Sequence, residues 1–580
     1  MSAVPFNAED LLLNLDEGQR AVAEELRGPV CVLAGAGTGK TRAITHRIAY
    51  GVATGTYAPQ AVLALTFTTR AAGEMRTRLR QLGAGTVQAN TFHAAALKQL
   101  GHFWPRIVGV NAPKILESKA HPLAEVANKL GLKIDTATLR DLATEVEWRK
   151  VSNLTLANYA LKAPSRSLPG KLTSEQVVEL MQGYEDLKDD RAQIDMEDVL
   201  LLTAGMLEAE PTVAMEVRDQ YRFFVVDEYQ DVSPLQHHLL DLWMGDRRDL
   251  CVVGDASQTI YSFTGATSEY LLNFGTEHPD ATLIRLETNY RSTPGIVQTA
   301  NALMRDRAGA LTLVSAAAQE GDGIAPSLTA YPDDAAEARG VAAAIQAEIN
   351  AGTAPENIAV LYRINAQAVA VDQALSDLGV STRTHGATRF FDLPEVKQAI
   401  MALRGASVSV SGEPLFKSVS DVLRSVGWSQ NPPAGTGAAR ASWEALNALM
   451  VLADEAPENT TFRAFTDDLL ARQASKHEPT VHAVTLASVH SAKGLEWDSV
   501  HVIGLSEGLI PISYAQTLEE IAEERRLLYV ALTRARTRLS LSWAQQGAGR
   551  QTQRERSRFV SEIGTHMPSS AANSAATTRR

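Results

Sequence analysis

The sequence predicts an α/β protein with two parallel-sheet domains, each interrupted by a mostly helical insertion. Short apolar runs typical of buried strands alternate with longer helical stretches along the 580 residues, and this alternation favours parallel sheets covered by helices. The runs form two groups, 61–67, 223–226, 250–253 and 282–286 in the first and 358–362, 484–489, 500–505 and 539–543 in the second. A charged, helical region interrupts each group.

The domain boundaries follow from these groups. We expect the first sheet domain in 1–100 and 207–285, around an insertion at 101–206. We expect the second in 286–389 and 480–564, around a shorter insertion at 390–479. The segment 565–580 is rich in Ser, Ala and Thr, which predicts a disordered tail because it offers little apolar surface to bury.

A glycine-rich segment between the apolar run 30–33 and the helical stretch 42–50 predicts a phosphate-binding loop. Glycines allow successive backbone N–H groups to surround phosphate oxygens, and the following helix N-terminus adds partial positive charge. Lys40 can reach the β- and γ-phosphates, and the Thr41 hydroxyl can ligate Mg²⁺. The predicted loop consists of Ala34, Gly35, Ala36, Gly37, Thr38, Gly39, Lys40 and Thr41.

An acidic pair at the end of the apolar run 223–226 predicts the catalytic part of the same site. Asp227 and Glu228 follow the last residue of this run, where an ATP-hydrolysing protein holds Mg²⁺ and activates water. We expect Asp227 to bind the metal, and Glu228 to orient or deprotonate the attacking water.

The composition excludes several classes of protein. Lys and Arg total 55 against 67 Asp and Glu, for a formal net charge of −12, so a protein coated in positive charge is excluded while a local basic groove is not. Cys31 and Cys251 lie in apolar runs and are expected to be buried thiols, not disulfide or zinc partners. We expect neither a signal peptide nor a membrane span, and therefore a cytoplasmic protein.

Further motifs resemble one family, the superfamily 1 DNA helicases of the UvrD/PcrA/Rep type, and in particular its short actinobacterial-type members. The resemblance extends from about 13 to 563, and the motifs occur in the family's order. They are found at 14–22, 34–42, 65–76, 91–93, 227–231, 253–266, 289–292, 359–367, 490–497 and 523–535. The resemblance implies two RecA-like P-loop domains.

The resemblance implies further contacts to ATP. Gln19 would recognise adenine through its amide, which can pair with the N6 and N7 edge. Arg42 would continue the phosphate loop, and Gln258 would sense the γ-phosphate. From the second domain, the implied contacts are Tyr290 stacking on adenine, Arg291 on the γ-phosphate, Glu496 on the nucleotide side and Arg534 as an arginine finger.

The resemblance also implies contacts to single-stranded DNA. Two aromatic residues, Tyr261 and Phe263, would face the bases, and stacking of this kind tolerates any sequence. The other implied contacts are Thr66, Phe67, His93, Arg363, Asn365 and His490.

The implied function is an ATP-dependent DNA helicase of repair or replication-fork maintenance. ATP, with Mg²⁺, would draw the two domains together, and hydrolysis would release them, giving 3′→5′ movement on one strand. The implied partners are single-stranded DNA, single-/double-strand junctions and repair proteins that the sequence does not identify. We expect a bacterial-type protein associated with the nucleoid when it is on DNA, and no membrane partner.

Some positions depart from the family pattern. Thr264 stands where relatives commonly carry arginine, and Leu393 replaces a usually basic residue. The second insertion is short and has no obvious match to the family's glycine-containing duplex-contact motif, and we expect neither the family's C-terminal extension nor a nuclease domain. Two alternatives therefore stay open: a translocase that displaces proteins with little unwinding, and a nucleotide-dependent clamp or adaptor without turnover.

Overall fold

A computed structural model describes residues 7–563 apart from 167, 317–323, 386–390, 392, 408–413, 432–437, 455, 458–459, 476–481 and 548–552. The predicted tail at 565–580 lies outside the described residues. The chain divides into two compact units. Unit 1 contains the residues up to Glu287 together with Ala308–Leu311, and unit 2 contains Thr288–Arg307 and the residues from Thr312 onward.

Unit 1 is built on a six-stranded parallel sheet. Its strands are β1 Val30–Ala34, β2 Val62–Thr66, β3 Gln88–Thr91, β4 Phe223–Val226, β5 Leu250–Gly254 and β6 Thr282–Leu286. They lie in the order β3-β2-β4-β5-β1-β6 and are all parallel. The helices that accompany them are Glu17–Glu24, Lys40–Ala53, Thr69–Gln81, Phe92–Val108, Pro211–Gln220, Pro234–Met244, Glu269–Leu272 and Phe274–Glu277.

Alternate residues of the central strands point to opposite faces of this sheet, as the strand period of two requires. In β4, Phe224 and Val226 belong to one apolar cluster, while Phe223 and Val225 belong to the other. Both faces are therefore buried, which explains why the central strands are continuous apolar runs.

The insertion of unit 1 is helical, with one two-residue strand pair formed by Lys114–Ile115 and Gln193–Ile194. Its helices are Ala120–Lys129, Thr136–Val151, Leu156–Lys162, Ser174–Asp190 and Met196–Ala209. The first four of these helices enclose a separate apolar core that includes Leu123, Leu142, Tyr159, Leu180 and Tyr184, whereas Met196–Ala209 packs into an apolar cluster of the unit 1 sheet.

Unit 2 is built on a second six-stranded parallel sheet. Its strands are β7 Ser327–Tyr331, β8 Ile358–Tyr362, β9 Thr382–His385, β10 Val484–Ser488, β11 Trp497–Val502 and β12 Ala535–Ala544. They lie in the order β7-β12-β11-β8-β10-β9. The other elements of this part are the helices Pro294–Met304, Asp334–Asn350, Ala366–Asp377, Leu518–Leu532 and Arg558–Ile563, and a short pair formed by Thr288–Asn289 and Val314–Ser315.

The insertion of unit 2 contains the helices Pro394–Ala406, Leu415–Ser425, Ala438–Asp454 and Phe462–Ser475. They share an apolar core that includes Val396, Ile400, Leu423, Leu449 and Phe465. Leu393, which departs from the family pattern, packs against this core, so its side chain has a structural role here.

The predicted fold class is confirmed: both units contain a parallel sheet, and helices are inserted between strands of each. The strand predicted at 500–505 is wrong in its bounds, since β11 is Trp497–Val502. Within the two six-stranded sheets, three strands were not predicted, β3, β7 and β9, and all three lie at sheet edges; the four two-residue strands were not predicted either. The boundaries predicted within each unit stay predictions.

Two further expectations concern thiols and membranes. Cys31 and Cys251 are free and buried, as predicted. Among the described residues, no helix combines the length and the apolar character that crossing a bilayer requires.

Candidate nucleotide and nucleic-acid sites

The predicted phosphate loop joins β1 to the helix Lys40–Ala53 in unit 1. Gly37 and Gly39 have positive φ angles of 72° and 81°, which glycine adopts without the steric penalty of a side chain. The Thr38 hydroxyl donates a hydrogen bond to the Gly35 carbonyl at 2.9 Å and closes the loop internally. Lys40 is the first residue of the helix, so the N-terminal N–H groups and the ammonium lie at the same end.

Gln19 braces this loop from the helix Glu17–Glu24. Its side chain is buried, and its Nε2 donates to the Thr38 carbonyl at 2.9 Å. Asp16 caps the same helix by accepting a hydrogen bond from the Gln19 backbone N–H at 2.7 Å. The amide is therefore fixed beside the loop, while its predicted contact with adenine stays a prediction. Arg42 donates to the Asn14 carbonyl at 2.6 Å.

The acidic pair lies beside the loop, at the carboxyl end of β4. The Thr41 hydroxyl donates to Asp227 Oδ2 at 3.4 Å, and Lys40 Nζ lies 3.5 Å from Glu228 Oε2. Glu228 has a φ of 53°, a left-handed conformation that is uncommon for a residue with a side chain and recurs at functional sites. The residues predicted for the phosphates, the metal and the water are thus brought together within unit 1.

The electrostatics of Asp227 fit a cation ligand. Burial, followed by the neighbouring Glu228 charge, raises the pKa of its carboxyl to about 7. The Thr41 hydroxyl and the Asp227 carboxylate are the hard oxygen donors that Mg²⁺ takes. No group of three or more His, Cys, Asp or Glu side chains that could hold a metal occurs in the described part of the chain. Mg²⁺ commonly uses only one or two carboxylates together with substrate phosphates, so the pair fits this metal.

A hydrogen-bonded chain that was not predicted connects Glu228 with Gln258. Gln230 Nε2 donates to Glu228 Oε2 at 2.5 Å, and Gln230 Oε1 accepts from the Asp255 N–H at 2.9 Å. Asp255 Oδ2 in turn accepts from Gln258 Nε2 at 2.7 Å. Gln230 and Asp255 are buried polar residues that lie within the motifs. They connect Glu228 with Gln258 because β4 and β5 are neighbours in the sheet, and the sequence does not reveal this adjacency.

Two of the predicted DNA-facing aromatic residues contact each other. The rings of Phe67 and Tyr261 are stacked, with centroids 5.6 Å apart and planes inclined by 16°. Phe67 is 39% exposed. The backbone of Phe263 lies in the short helix Ser262–Thr264, and its side chain lies outside the described part. Thr264 donates to the Tyr261 carbonyl at 2.8 Å, a local role for the residue that replaces arginine.

The remaining DNA candidates of unit 1 lie at strand ends. Thr66 is the last residue of β2 and is buried. His93 follows β3, in the first turn of the helix Phe92–Val108, and burial lowers the pKa of its imidazole.

Three nucleotide candidates of unit 2 lie near each other. The Arg291 guanidinium forms an ion pair with Glu496 at 2.5 Å and donates to the Thr533 carbonyl at 3.2 Å. Burial opposes ionisation of Glu496, but Arg291 and Arg536 more than offset this effect and hold its pKa below the usual value. Tyr290, next to Arg291 in the chain, is 52% exposed.

Arg534, the predicted arginine finger, is buried within unit 2. Its guanidinium donates to the carbonyls of Val530 and Leu495 at 2.9 and 3.1 Å, and to the Thr533 hydroxyl at 3.1 Å. The side chain is thus held in a fixed position by its own unit.

The DNA candidates of unit 2 form a second group. Arg363 donates to Glu524 through Nε at 3.0 Å and Nη2 at 2.8 Å, and Glu524 is a buried residue that was not predicted. Burial, followed by the charges of Arg363 and Lys493, lowers the pKa of His490 to about 4, so this imidazole is neutral at pH 7. Asn365 is exposed at the start of the helix Ala366–Asp377.

Comparison with known protein families agrees with this arrangement. The UvrD/REP helicase N-terminal domain matches residues 15–279, and the UvrD-like helicase C-terminal domain matches residues 284–430 and 436–546. The chain belongs to the UvrD-like helicase family. This UvrD-like chain is 45% identical over 578 residues to the ATP-dependent DNA helicase UvrD2 of Mycobacterium tuberculosis strain H37Rv, covering 96% of this chain and 82% of the relative.

More distant relatives match over a similar extent. The UvrD-like chain is 27% identical to the ATP-dependent DNA helicase PcrA of Bacillus subtilis, over 96% of this chain and 87% of the relative. It is 28% identical to DNA helicase II of Escherichia coli K12, over 95% of this chain and 88% of the relative. The family resemblance found in the motifs is therefore confirmed.

Proposed function

We propose that this protein is an ATP-dependent DNA helicase that moves 3′→5′ along single-stranded DNA and opens duplexes in DNA repair or replication restart. The observation that carries the proposal is the continuity of the unit 1 site. The phosphate loop contacts Asp227 and Glu228, and hydrogen bonds continue from Glu228 to Gln258. Gln258 is three residues before Tyr261, which stacks on the exposed Phe67.

In the proposed reaction, residues of unit 1 bind ATP and prepare water for attack. The loop N–H groups and Lys40 hold the phosphates, and Gln19 keeps the loop in shape through the Thr38 carbonyl. Glu228 would orient or deprotonate water. The hydrogen bond from Gln230 holds one oxygen of the Glu228 carboxylate in a fixed position for this role. Mg²⁺, held by Thr41 and Asp227, would neutralise charge on the phosphates.

Gln258 would report the state of the nucleotide to the DNA-facing turn. Its amide is fixed by Asp255, and the turn that carries Tyr261 begins immediately after it. A displacement of Gln258 when the γ-phosphate is released would therefore move the backbone next to Tyr261. This supports coupling between hydrolysis and the grip on a base.

Residues of unit 2 are proposed to complete the two activities. Arg291 and Arg534 would supply positive charge during phosphoryl transfer, with Tyr290 on adenine and Glu496 holding Arg291 in place. The proposed DNA contacts are Arg363, Asn365 and His490 in unit 2, with Thr66, Phe67, His93, Tyr261 and Phe263 in unit 1.

The test is steady-state ATP hydrolysis with and without single-stranded DNA, followed by unwinding of 3′-tailed and 5′-tailed duplexes. We expect stimulation by single-stranded DNA and unwinding of the 3′-tailed duplex only, both abolished in Lys40→Ala. Unwinding from the 5′ tail alone would refute the proposed direction. Absence of ATP hydrolysis would favour the clamp or adaptor.

A protein-displacing translocase is the second candidate, and the small four-helix insertion of unit 2 favours it. Displacement of streptavidin from a biotinylated single strand distinguishes the two, because it requires movement but not strand separation. Displacement without unwinding on any tailed duplex would replace the helicase proposal with the translocase.

A further inference from the structure

Tyr514 is an exposed aromatic residue that no predicted site contains. Among the aromatic residues whose side chains are described, four are exposed by more than a third: Phe67 at 39%, Tyr290 at 52%, Phe416 at 50% and Tyr514 at 66%. Phe67 and Tyr290 have proposed roles toward DNA and adenine. Phe416 lies on a helix of the unit 2 insertion, so Tyr514 is the unassigned exposed aromatic residue outside the insertions.

Tyr514 lies against Arg363, which is proposed above as a contact to single-stranded DNA. Arg363 Nη2 donates a hydrogen bond to the Tyr514 hydroxyl oxygen at 3.2 Å, while Nε and Nη2 also donate to Glu524. Arg363 Nη1 has no hydrogen-bond partner within the described part of the chain. One edge of the guanidinium is therefore occupied by Glu524 and the tyrosine, and Nη1 remains for a phosphate oxygen.

The segment that carries Tyr514 is fixed at both ends. The buried Glu524, which holds Arg363, also accepts a hydrogen bond from the Ile512 N–H at 3.1 Å. After Tyr514, Thr517 caps the helix Leu518–Leu532 in a capping box with Glu520. A backbone segment that is fixed before binding loses less conformational entropy when a ligand stacks on a ring that it carries.

We propose that Tyr514 stacks on a base of the single-stranded DNA whose phosphate Arg363 binds. The proposal rests on the proposed function, since it requires that unit 2 bind single-stranded DNA. Arg363 contacts Tyr514 itself and brings a positive charge beside the ring, which suits a polynucleotide; Glu524 pairs with Arg363 through Nε and Nη2, and Lys493 is a second cation that acts on the neighbouring His490. Stacking on an aromatic side chain is sequence-tolerant because every base has a π-face.

The test compares Tyr514→Ala, Tyr514→Phe and Phe416→Ala with the wild type, by fluorescence anisotropy of a labelled oligo-dT at one fixed salt concentration. We expect Tyr514→Ala to weaken binding roughly 5- to 150-fold, the loss that removal of one base–aromatic stack produces. Tyr514→Phe keeps the ring and should lose less than about 3-fold. Phe416→Ala, the matched control on an exposed aromatic residue of the same unit, should bind like the wild type.

A second oligonucleotide, made of abasic tetrahydrofuran units, separates stacking from an effect on Arg363. Without bases, Tyr514→Ala and wild type should bind within about 2-fold of each other. The proposal is overturned if Tyr514→Ala binds oligo-dT normally, if Tyr514→Phe loses as much as Tyr514→Ala, or if the loss persists on the abasic strand. If the wild type neither binds oligo-dT nor shows DNA-stimulated ATP hydrolysis, the proposed function fails. If the wild type does both and Tyr514→Ala is normal, only the present inference fails.

Discussion

Replacing Lys150 with Met should destabilise the helical insertion of unit 1 by about 3–5 kcal/mol. Lys150 lies near the end of the helix Thr136–Val151 and is 1% exposed. Its ammonium contacts Asp195 at 2.7 Å, Asp198 at 2.5 Å and Glu185 at 3.0 Å. The methionine side chain fills a similar volume but leaves these carboxylates without one of their cations.

The magnitude follows from the charges of this cluster. Lys150 and Lys188 share Glu185, Asp195 and Asp198, and Arg149 pairs with Glu185, so three positive charges balance three negative ones. The Lys150–Asp195 contact alone corresponds to about 6 kcal/mol of attraction at an effective dielectric constant of ~20. Lys150→Met loses this attraction, but folding of the variant no longer requires dehydration of an ammonium, which offsets part of the loss. The net destabilisation is about 3–5 kcal/mol, the value expected when one partner of a buried ion pair is removed.

The part of the effect that comes from Asp195 should not depend on pH between 6 and 8. Burial opposes ionisation of Asp195, but Lys150 and Lys188 more than offset it and hold its pKa below the usual range. A carboxyl whose folded pKa is lowered contributes stability that is complete above its unfolded pKa of about 4 and is lost only as the pH falls below it.

Hydrogen exchange followed by mass spectrometry measures this loss locally, which suits a chain of several domains. Peptides from 136–151 and 174–190 should exchange faster in Lys150→Met, and Lys162→Met, an exposed lysine of the same insertion, should leave them unchanged. Adding Asp195→Asn should recover about half of the loss, because it removes the unbalanced charge while Asn caps a helix as well as Asp does. Normal exchange in Lys150→Met, or further loss in the double variant, would refute the reasoning.

Three further predictions concern the nucleotide site. Glu228→Gln should retain ATP binding but hydrolyse at least about 100-fold more slowly, measured by nucleotide titration and single turnover; normal turnover would remove the assigned role. Arg534→Ala should lower kcat about 10³-fold with little change in ATP affinity, and an unchanged kcat would contradict the finger assignment. Gly39→Ala should weaken ATP binding at least about 10-fold, since a Cβ there would lie 2.7 Å from Gln19 Nε2 at a φ of +81°. Gly28→Ala has a similar φ and no neighbour within 4 Å, so it should bind ATP normally; equal losses in both would show that backbone strain alone is responsible.

The candidate nucleotide site of unit 1 is largely predictable from sequence because its residues are concentrated in short segments. Lys40 and Thr41 follow one apolar run, and Asp227 and Glu228 follow another. Parallel strands place their carboxyl ends at one edge of a sheet, so the two segments are expected to meet. The structure adds the distances, such as 3.4 Å between Thr41 and Asp227.

The elements that could not be predicted lack such a local signal. The edge strands β3, β7 and β9 are polar or mixed in sequence: β7 and β9 are only partly buried, as edge strands commonly are, while β3 buries the polar residues Asn90 and Thr91. The charged residues of the first insertion are typical of a solvated helix surface, yet Lys150 and Lys188 are buried. Their partner Asp195 is 45 residues from Lys150, and Glu524 is 161 residues from Arg363. Pairing over such separations depends on tertiary structure.

The sheet of unit 1 also explains how the proposed nucleotide site and the proposed DNA-facing turn can be coupled over a short distance. β4 and β5 are adjacent and in register, with Val226 opposite Val252, so Glu228 and Asp255 emerge from neighbouring strand ends. Gln230 spans the gap with one side chain, donating to the Glu228 carboxylate and accepting from the Asp255 N–H. Gln230 and Asp255 are buried, so in the proposed mechanism these two side chains would pass a shift of the partly exposed Glu228 toward Tyr261 without rearrangement of water around them. The proposed coupling within this unit therefore requires no long pathway, only two adjacent strands whose ends carry the proposed catalytic carboxylate and the turn proposed to face DNA.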